Sequence, residues 1–303
     1  MKDHRAFPIA GLLAVLLLLP GGRVQAETKR PLVLAATIFP AADIVRRIAG
    51  PAARVIQVLP AGASPHTFDL TPGQVKELQG ARLVFKIGGI DDWIDSVAES
   101  LPGAAMVRLD KDIALKPMRE EGHDHGGHRA RRHPEYDPHY WLSAANAAVM
   151  ARTIAAALCR CDPAHAALYH ANGQRLASEL AALHGEISKE LSALKDRRMI
   201  VFHDGWRYFA AAYGLEIVAV FQLSPGREPT PRELQGLYAQ ARRHGITAIF
   251  SEPQLPATSL EPLLQDLGLK LVVIDPLGGA APGDSYAALL RRNARAVRQA
   301  LER

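Results

Sequence analysis

Three histidines occupy settings in which a metal ion could be held. His66 lies in Ser64-Pro65-His66-Thr67-Phe68, after an apolar run that ends at Leu59. His139 lies in Asp137-Pro138-His139-Tyr140-Trp141-Leu142, just ahead of a helical stretch. His203 directly follows the apolar run Arg198–Phe202, and Asp275 closes another such run ahead of Pro276 and two glycines. Imidazole is the commonest metal ligand in proteins, and zinc sites gather three or four side chains in tetrahedral array. A lone histidine after a strand is more often a surface or hydrogen-bonded residue, and an aspartate before a proline can simply organise a turn. What must be established is whether the elements around these residues bring them together.

Those elements alternate. The β-rich runs Leu32–Thr37, Arg54–Leu59, Arg82–Ile87 and Ala105–Leu109 precede Arg198–Phe202, Glu216–Phe221, Thr247–Ser251 and Lys270–Asp275. Between them lie helical patterns over Ala42–Ile48, Gln74–Leu78, Pro231–Arg243 and Leu260–Leu267. Short, nearly continuous apolar strands separated by helices predict parallel sheets covered on both faces. Eight strands split four and four predict an α/β chain of two lobes, each with a four-stranded parallel sheet. The separator is a long helix. Asp162 and Pro163 open it as cap and first residue, and Leu168, Leu176, Leu180, Leu183, Ile187, Leu191 and Leu194 recur at helical spacing. From Pro163 to Leu194 it would run about 48 Å at ~1.5 Å per residue, a stiff spine joining the lobes. Gly173 and Gly185 each disfavour it by about 1 kcal/mol relative to Ala, and bending is expected there. In open α/β sheets ligands bind beyond the carboxyl ends of strands, where three of the four candidate residues are predicted, from both lobes.

The start of the chain has a different job. Lys2 and Arg5 precede an apolar run from Ile9 to Leu19, and Val24-Gln25-Ala26 supplies a small-residue cleavage site. This pattern predicts a secretory signal peptide over 1–26; the run is shorter than the roughly 20 residues a membrane span needs. No cysteine precedes Cys159, so a lipidated cleavage site is not expected, and the mature chain should be soluble and periplasmic. The lobes are then expected at 27–162 and 195–303, with the helix 163–194 between them. A formal charge of +5 over 303 residues, with no basic stripe or motif, gives no sign of nucleic-acid binding. Cys159 and Cys161 are the only two cysteines. A bridge across one residue would be strained, which leaves free thiols or a soft-metal site open. Residues 119–133 carry His123, His125, His128 and His133 among arginines, glycines and acids, with no apolar run. Such a tract cannot bury a core and is expected to be a loop that binds metal weakly.

The wording around the candidate residues is specific. Asp137-Pro138-His139-Tyr140-Trp141-Leu142, Phe202-His203-Asp204-Gly205-Trp206-Arg207-Tyr208-Phe209 and Ile274-Asp275-Pro276-Leu277-Gly278 resemble the motifs of one family. So do Ser224-Pro225-Gly226-Arg227-Glu228-Pro229-Thr230 and Phe250-Ser251-Glu252-Pro253-Gln254. The family is the zinc- and manganese-binding solute-binding proteins of ABC importers, the cluster 9 or A-I class, and the resemblance covers essentially the whole mature chain. It implies two lobes joined by a rigid helix, with one metal in the cleft held by His66, His139, His203 and Asp275. It also implies an inner-membrane ABC permease as partner, with periplasmic zinc chaperones as further partners, for a monomeric carrier that is not an enzyme. Manganese members commonly carry Glu at the third position, so His203 points to Zn²⁺ as the ligand; imidazole suits zinc, whereas manganese prefers oxygen. The histidine-rich tract matches a loop typical of the zinc branch and is expected to be an accessory site. The family often has Tyr-Glu-Pro-Thr-Pro after the first ligand, where this chain has Phe68-Asp69-Leu70-Thr71-Pro72. Whether Asp275 or water is the fourth ligand stays open, as does binding of manganese, copper or cobalt. The rival classes are a secreted zinc hydrolase, for which no His-Glu-x-x-His motif is present, and a surface adhesin.

Overall fold

The structure, a computed structural model, describes residues 31–118, 135–221, 230–254, 261–266, 268–281 and 283–302. The expected leader, the tract holding His123, His125, His128 and His133, and positions 224–229 of one motif lie outside these residues.

Strands β1 (Leu32–Ala36), β2 (Ala53–Gln57), β3 (Leu83–Lys86) and β4 (Ala105–Arg108) form one parallel sheet in the order β2-β1-β3-β4. Strands β5 (Arg198–Val201), β6 (Glu216–Val220), β7 (Ala248–Ser251) and β8 (Lys270–Val273) form the second, in the order β6-β5-β7-β8. Every residue of β3 and β7 is buried, as a strand covered on both faces requires. Most strands stop one or two residues short of the apolar run that announces them. Single bonds such as Thr37 N to Phe85 O (3.0 Å) and Phe202 N to Phe250 O (2.8 Å) carry the pairing past the strand end. In each sheet the chain turns outward in both directions from the central pair, β1/β3 and β5/β7, which makes these the switch points.

Helices α1 (Phe39–Ala49), α2 (Pro72–Glu77), α3 (Ala144–Cys161) and α4 (Ala166–Ser192) precede β5, and α5 (Arg207–Tyr213), α6 (Pro231–His244), α7 (Glu261–Asp266) and α8 (Tyr286–Leu301) follow it. Local chemistry sets their ends. Thr230 caps α6 through a reciprocal box with Glu233, with Pro231 at the first position. α4 has 27 residues, about 40 Å, and begins after a 3₁₀ turn over Pro163–His165. It packs along α3 and touches α1 on one side, and α5 and α8 on the other. Its buried stripe runs through Tyr169, Leu176, Leu180, Leu183, Ile187 and Leu191. Leu168, expected in that stripe, is instead exposed: eight residues at ~100° each carry it about 80° off the line of Leu176, whereas Tyr169 falls about 20° from it.

One continuous core joins the lobes, uniting Leu34 and Phe85 of the first sheet with Phe250 of the second through Trp141, Leu176 and Phe209. Smaller clusters cover the outer face of each sheet. Hydrogen bonds also cross between lobes: Trp141 Nε1 donates to Pro276 O at 2.8 Å, Tyr286 N to Asp43 Oδ2 at 3.0 Å, and Tyr286 Oη to Trp141 O. Among the described residues no helix is long and apolar enough to cross a membrane.

Candidate metal centre

His66, His139 and His203 meet in the cleft. Their ring centroids are 4.8 to 5.5 Å apart, and one nitrogen from each lies within 4.8 Å of the others. Among the described residues no other cluster of three or more His, Cys, Asp or Glu side chains is placed to hold a metal ion. Nitrogens on a tetrahedral zinc at about 2.05 Å stand roughly 3.4 Å from one another, so side-chain adjustments would gather them.

Each histidine has its own support. His66 sits on the β2–α2 loop, which is pinned where Trp93 Nε1 donates to Pro65 O at 3.1 Å and Phe68 packs edge-on against Trp93. His139 precedes the 3₁₀ turn Tyr140–Leu142 that leads into α3. Buried Asp137 accepts from His139 N at 3.0 Å and faces His139 Nδ1 at 2.8 Å. That bond fixes Nδ1 as the protonated nitrogen and turns Nε2 outward, where it is buried without a partner among the described residues. His203 follows β5, and buried Glu252 follows β7, on the two sides of the second switch point. Glu252 Oε1 faces His203 Nδ1 at 3.2 Å and accepts from Trp206 Nε1 at 2.8 Å. The bond to Trp206 anchors the carboxylate, which then orients the ring. Gly205 leaves room for both rings: a Cβ there would come within 2.8 Å of His203 and 3.0 Å of His139.

Asp137, Glu252 and Trp206 were not singled out by spacing, although each lies in a quoted motif; only proximity in the fold shows which histidine each one serves. A second brace stands behind Asp137. Tyr208 Oη, on α5 of the second lobe, accepts from Lys116 N at 2.7 Å and donates to Asp137 O at 3.2 Å. Arg207 donates to Pro117 O at 2.7 Å.

Asp275 follows β8. It does not join the histidine group. Its Oδ1 accepts from Gln254 Nε2 at 3.2 Å and from Leu277 N at 2.9 Å, so the carboxylate is engaged within its own lobe. Gln254 lines the cavity with the three histidines, Trp141, Glu252 and Pro276. Cys159 and Cys161 are free thiols at the end of α3, and Cys159 Sγ donates to Ala166 O at 3.4 Å.

Burial shapes the electrostatics. It lowers the pKa of His66 from its ordinary 6.5 to about 2, reinforced by the neighbouring His139 and His203. At His203 burial acts in the same direction, but the charge and hydrogen bond of Glu252 outweigh it and the pKa is raised. The cavity holds about 10 Å³, room for an ion or a single water.

Two parallel α/β lobes that face each other across an ion-sized cleft lined by three histidines have the build of a metal-binding solute-binding protein. Residues 34–300 match the family described as ZnuA, zinc-uptake complex component A, periplasmic, and the chain belongs to that family. Over 282 residues it is 28 % identical to the high-affinity zinc uptake system protein ZnuA of Brucella suis, spanning 81 % of this chain and 84 % of that one. A crystal structure of ZnuA covers 90 % of this chain and 100 % of its own length, with a TM-score of 0.78 and 26 % identity. A zinc-bound ZnuA deletion mutant gives 0.77 and 27 %, over 90 % of this chain and 99 % of that one.

Proposed function

We propose that this protein captures Zn²⁺ in the cleft through His66, His139 and His203 and delivers it to an ABC-type permease of the inner membrane. The observation that carries this reading is the convergence of three imidazole nitrogens within 4.8 Å, two of the rings being set by buried carboxylates. Three imidazoles favour zinc over manganese, which prefers oxygen. The export pattern at residues 1–26 and the family's periplasmic description together support a cleaved leader and a periplasmic carrier. Asp275 or a water in its place serves as the fourth partner of the ion, and the histidines of 119–133 serve as an accessory zinc-collecting site. We further propose a monomer, with periplasmic zinc chaperones as additional partners.

Zinc titration calorimetry tests the site. The wild-type chain should take one ion tightly at the cleft. His66→Ala and His203→Ala should each lose more than the roughly 10–100-fold that removal of an outer-shell partner costs. Unchanged stoichiometry and affinity in both variants would refute the assignment. The hydrolase reading is disfavoured because the carboxylates beside the histidines, Asp137 and Glu252, are committed to orienting them. No turnover of ester, peptide or phosphate substrates is expected.

A further inference from the structure

Two of the three cleft histidines are set from within their own lobe. The loop of His66 is tied to Trp93 of the first lobe, and His203 is oriented by Glu252, which Trp206 holds, in the second. His139 differs. It belongs to the first lobe and is oriented by Asp137, but Asp137 is gripped by α5 of the second.

The grip enters through a gap in a backbone ladder. Residues 116–118 and 135–137 run as a short antiparallel pair. Pro117 faces Tyr136, Met118 N donates to Glu135 O at 3.2 Å, and Asp137 N donates to Lys116 O at 2.8 Å. Opposite residues in such a hydrogen-bonded pair exchange two N–H···O bonds, so Lys116 N would be expected to donate to Asp137 O. It donates instead to Tyr208 Oη at 2.7 Å, and that hydroxyl donates to Asp137 O at 3.2 Å. A phenol can do both at once, so Tyr208 is spliced into the pair with no backbone group left unmade. Its ring is buried edge-on to Tyr140, with Lys116 Nζ 5.7 Å from its centre. Next to it, Arg207 Nη1 donates to Pro117 O at 2.7 Å and stands 3.8 Å from Asp137 Oδ2. That oxygen is buried without a hydrogen bond among the described residues, and the guanidinium offers it the opposite charge.

We propose that Tyr208 and Arg207 are positioning residues for His139, fixing Asp137 from the second lobe and, through it, the tautomer and aim of the imidazole. The proposal rests on the three-histidine reading above. Without the phenol hydroxyl, Lys116 N and Asp137 O either stay unmade or close into a direct bond, and in both cases the Asp137 carboxylate loses its fixed place against the ring. The setting of His139 therefore depends on the register of the two lobes. A partner that shifted one lobe against the other would loosen this histidine ahead of His66 and His203.

The test uses the full mature chain with Zn²⁺ alone as probe, and the variants Tyr208→Phe, Arg207→Gln, Tyr169→Phe and His203→Ala. Tyr208→Phe should weaken zinc about tenfold, the lower end of what loss of a supporting partner costs. Arg207→Gln should act in the same direction and by less. Tyr169→Phe removes another hydroxyl, one bonded to Asp162 at the far end of α3, and should bind as the wild type does. Nitrogen-15 NMR of the metal-free protein at about pH 8 supplies a readout that simple loss of stability does not move. The wild type should hold the His139 proton on Nδ1, and Tyr208→Phe should show a mixture of tautomers. Circular dichroism checks that each variant is folded; if Tyr208→Phe is not, Arg207→Gln decides by the same two measurements. The inference is overturned by wild-type zinc affinity in Tyr208→Phe, by a loss of affinity with the His139 tautomer unchanged, or by an equal loss in Tyr169→Phe. Any of these, with zinc lost in His203→Ala, leaves the three-histidine site standing. Wild-type binding by His203→Ala removes both.

Discussion

The three histidines of the cleft are not equivalent, and the difference has a pH signature. His66, with its pKa held at about 2, is neutral over the working range and carries no proton for zinc to displace. His203 is raised by Glu252, so the metal-free protein keeps a proton there to higher pH than an ordinary imidazole would. Because the ligand must be neutral, zinc competes with that proton. Zinc affinity measured by chelator competition between about pH 8 and 5 should therefore fall with fewer than three protons per ion. A slope of three would mean that His66 titrates too. In Glu252→Gln the fall should begin at lower pH, because the charge that raises His203 is gone, and affinity at neutral pH should drop about 10–100-fold as ring orientation loosens. The two histidines also pull the metal-free fold in opposite directions. His66 has a folded pKa below its unfolded 6.5, so the unfolded chain takes the proton first and stability falls as pH drops below about 6.5. The contribution of His203, raised in the fold, is present below the unfolded value and is lost as pH rises through the folded one.

At the scale of elements, two glycines of α4 separate packing from propensity. Both read in the sequence as helix-weakening positions, and periodicity gave no means of telling them apart. In the structure Gly173 lies where α4 crosses α3, and a Cβ there would stand 2.5 Å from Ala155 Cβ. Gly185 is exposed, with nothing within 4 Å of its added Cβ. Gly185→Ala should stabilise the protein by up to about 1 kcal/mol, the gain in helix propensity. Gly173→Ala gains the same propensity but forces two helices apart, and overpacking of this kind costs about 1–3 kcal/mol; the net should be destabilising. Urea denaturation of both variants measures the two signs, and a stabilised Gly173→Ala would show that the helix contact gives way freely. The same limit governs what else was legible. All eight strands are visible as apolar runs, and in β3 and β7 burial on both faces forces such runs. His66, His139 and His203 are visible because they lie in motifs at strand and helix ends. Glu252 meets His203 from 49 residues away and Gln254 meets Asp275 from 21; such pairs exist only after folding. Asp275 lies beyond β8 as a ligand would, and its contacts with Gln254 and Leu277 through Oδ1 are likewise visible only in the fold.

For the whole molecule, the question is whether the lobes move as zinc enters. Large hinge closure needs an interface that can open and a few residues that absorb the rotation. Here one apolar core runs from the first sheet to the second, α4 touches helices of both lobes, and Trp141 binds Pro276 across the boundary while Tyr286 reaches both Asp43 and Trp141. Separating the lobes would expose that core, at roughly 25 cal/mol for each Å² of apolar surface uncovered. The histidine nitrogens, already within 4.8 Å of one another, have little more than about 1 Å to travel to the tetrahedral spacing. Side-chain rotation can supply that distance without lobe motion. The metal-free and zinc-loaded forms should therefore give superimposable small-angle scattering curves. Calorimetry should show both lobes melting in one transition, because a shared core couples their unfolding. Zinc held at about 1,000 times its Kd adds about 4 kcal/mol to the folded state, which should move that single transition upward as a unit. Two separate transitions, or a zinc shift confined to one of them, would mean that the lobes are independent and that the cleft closes by their approach.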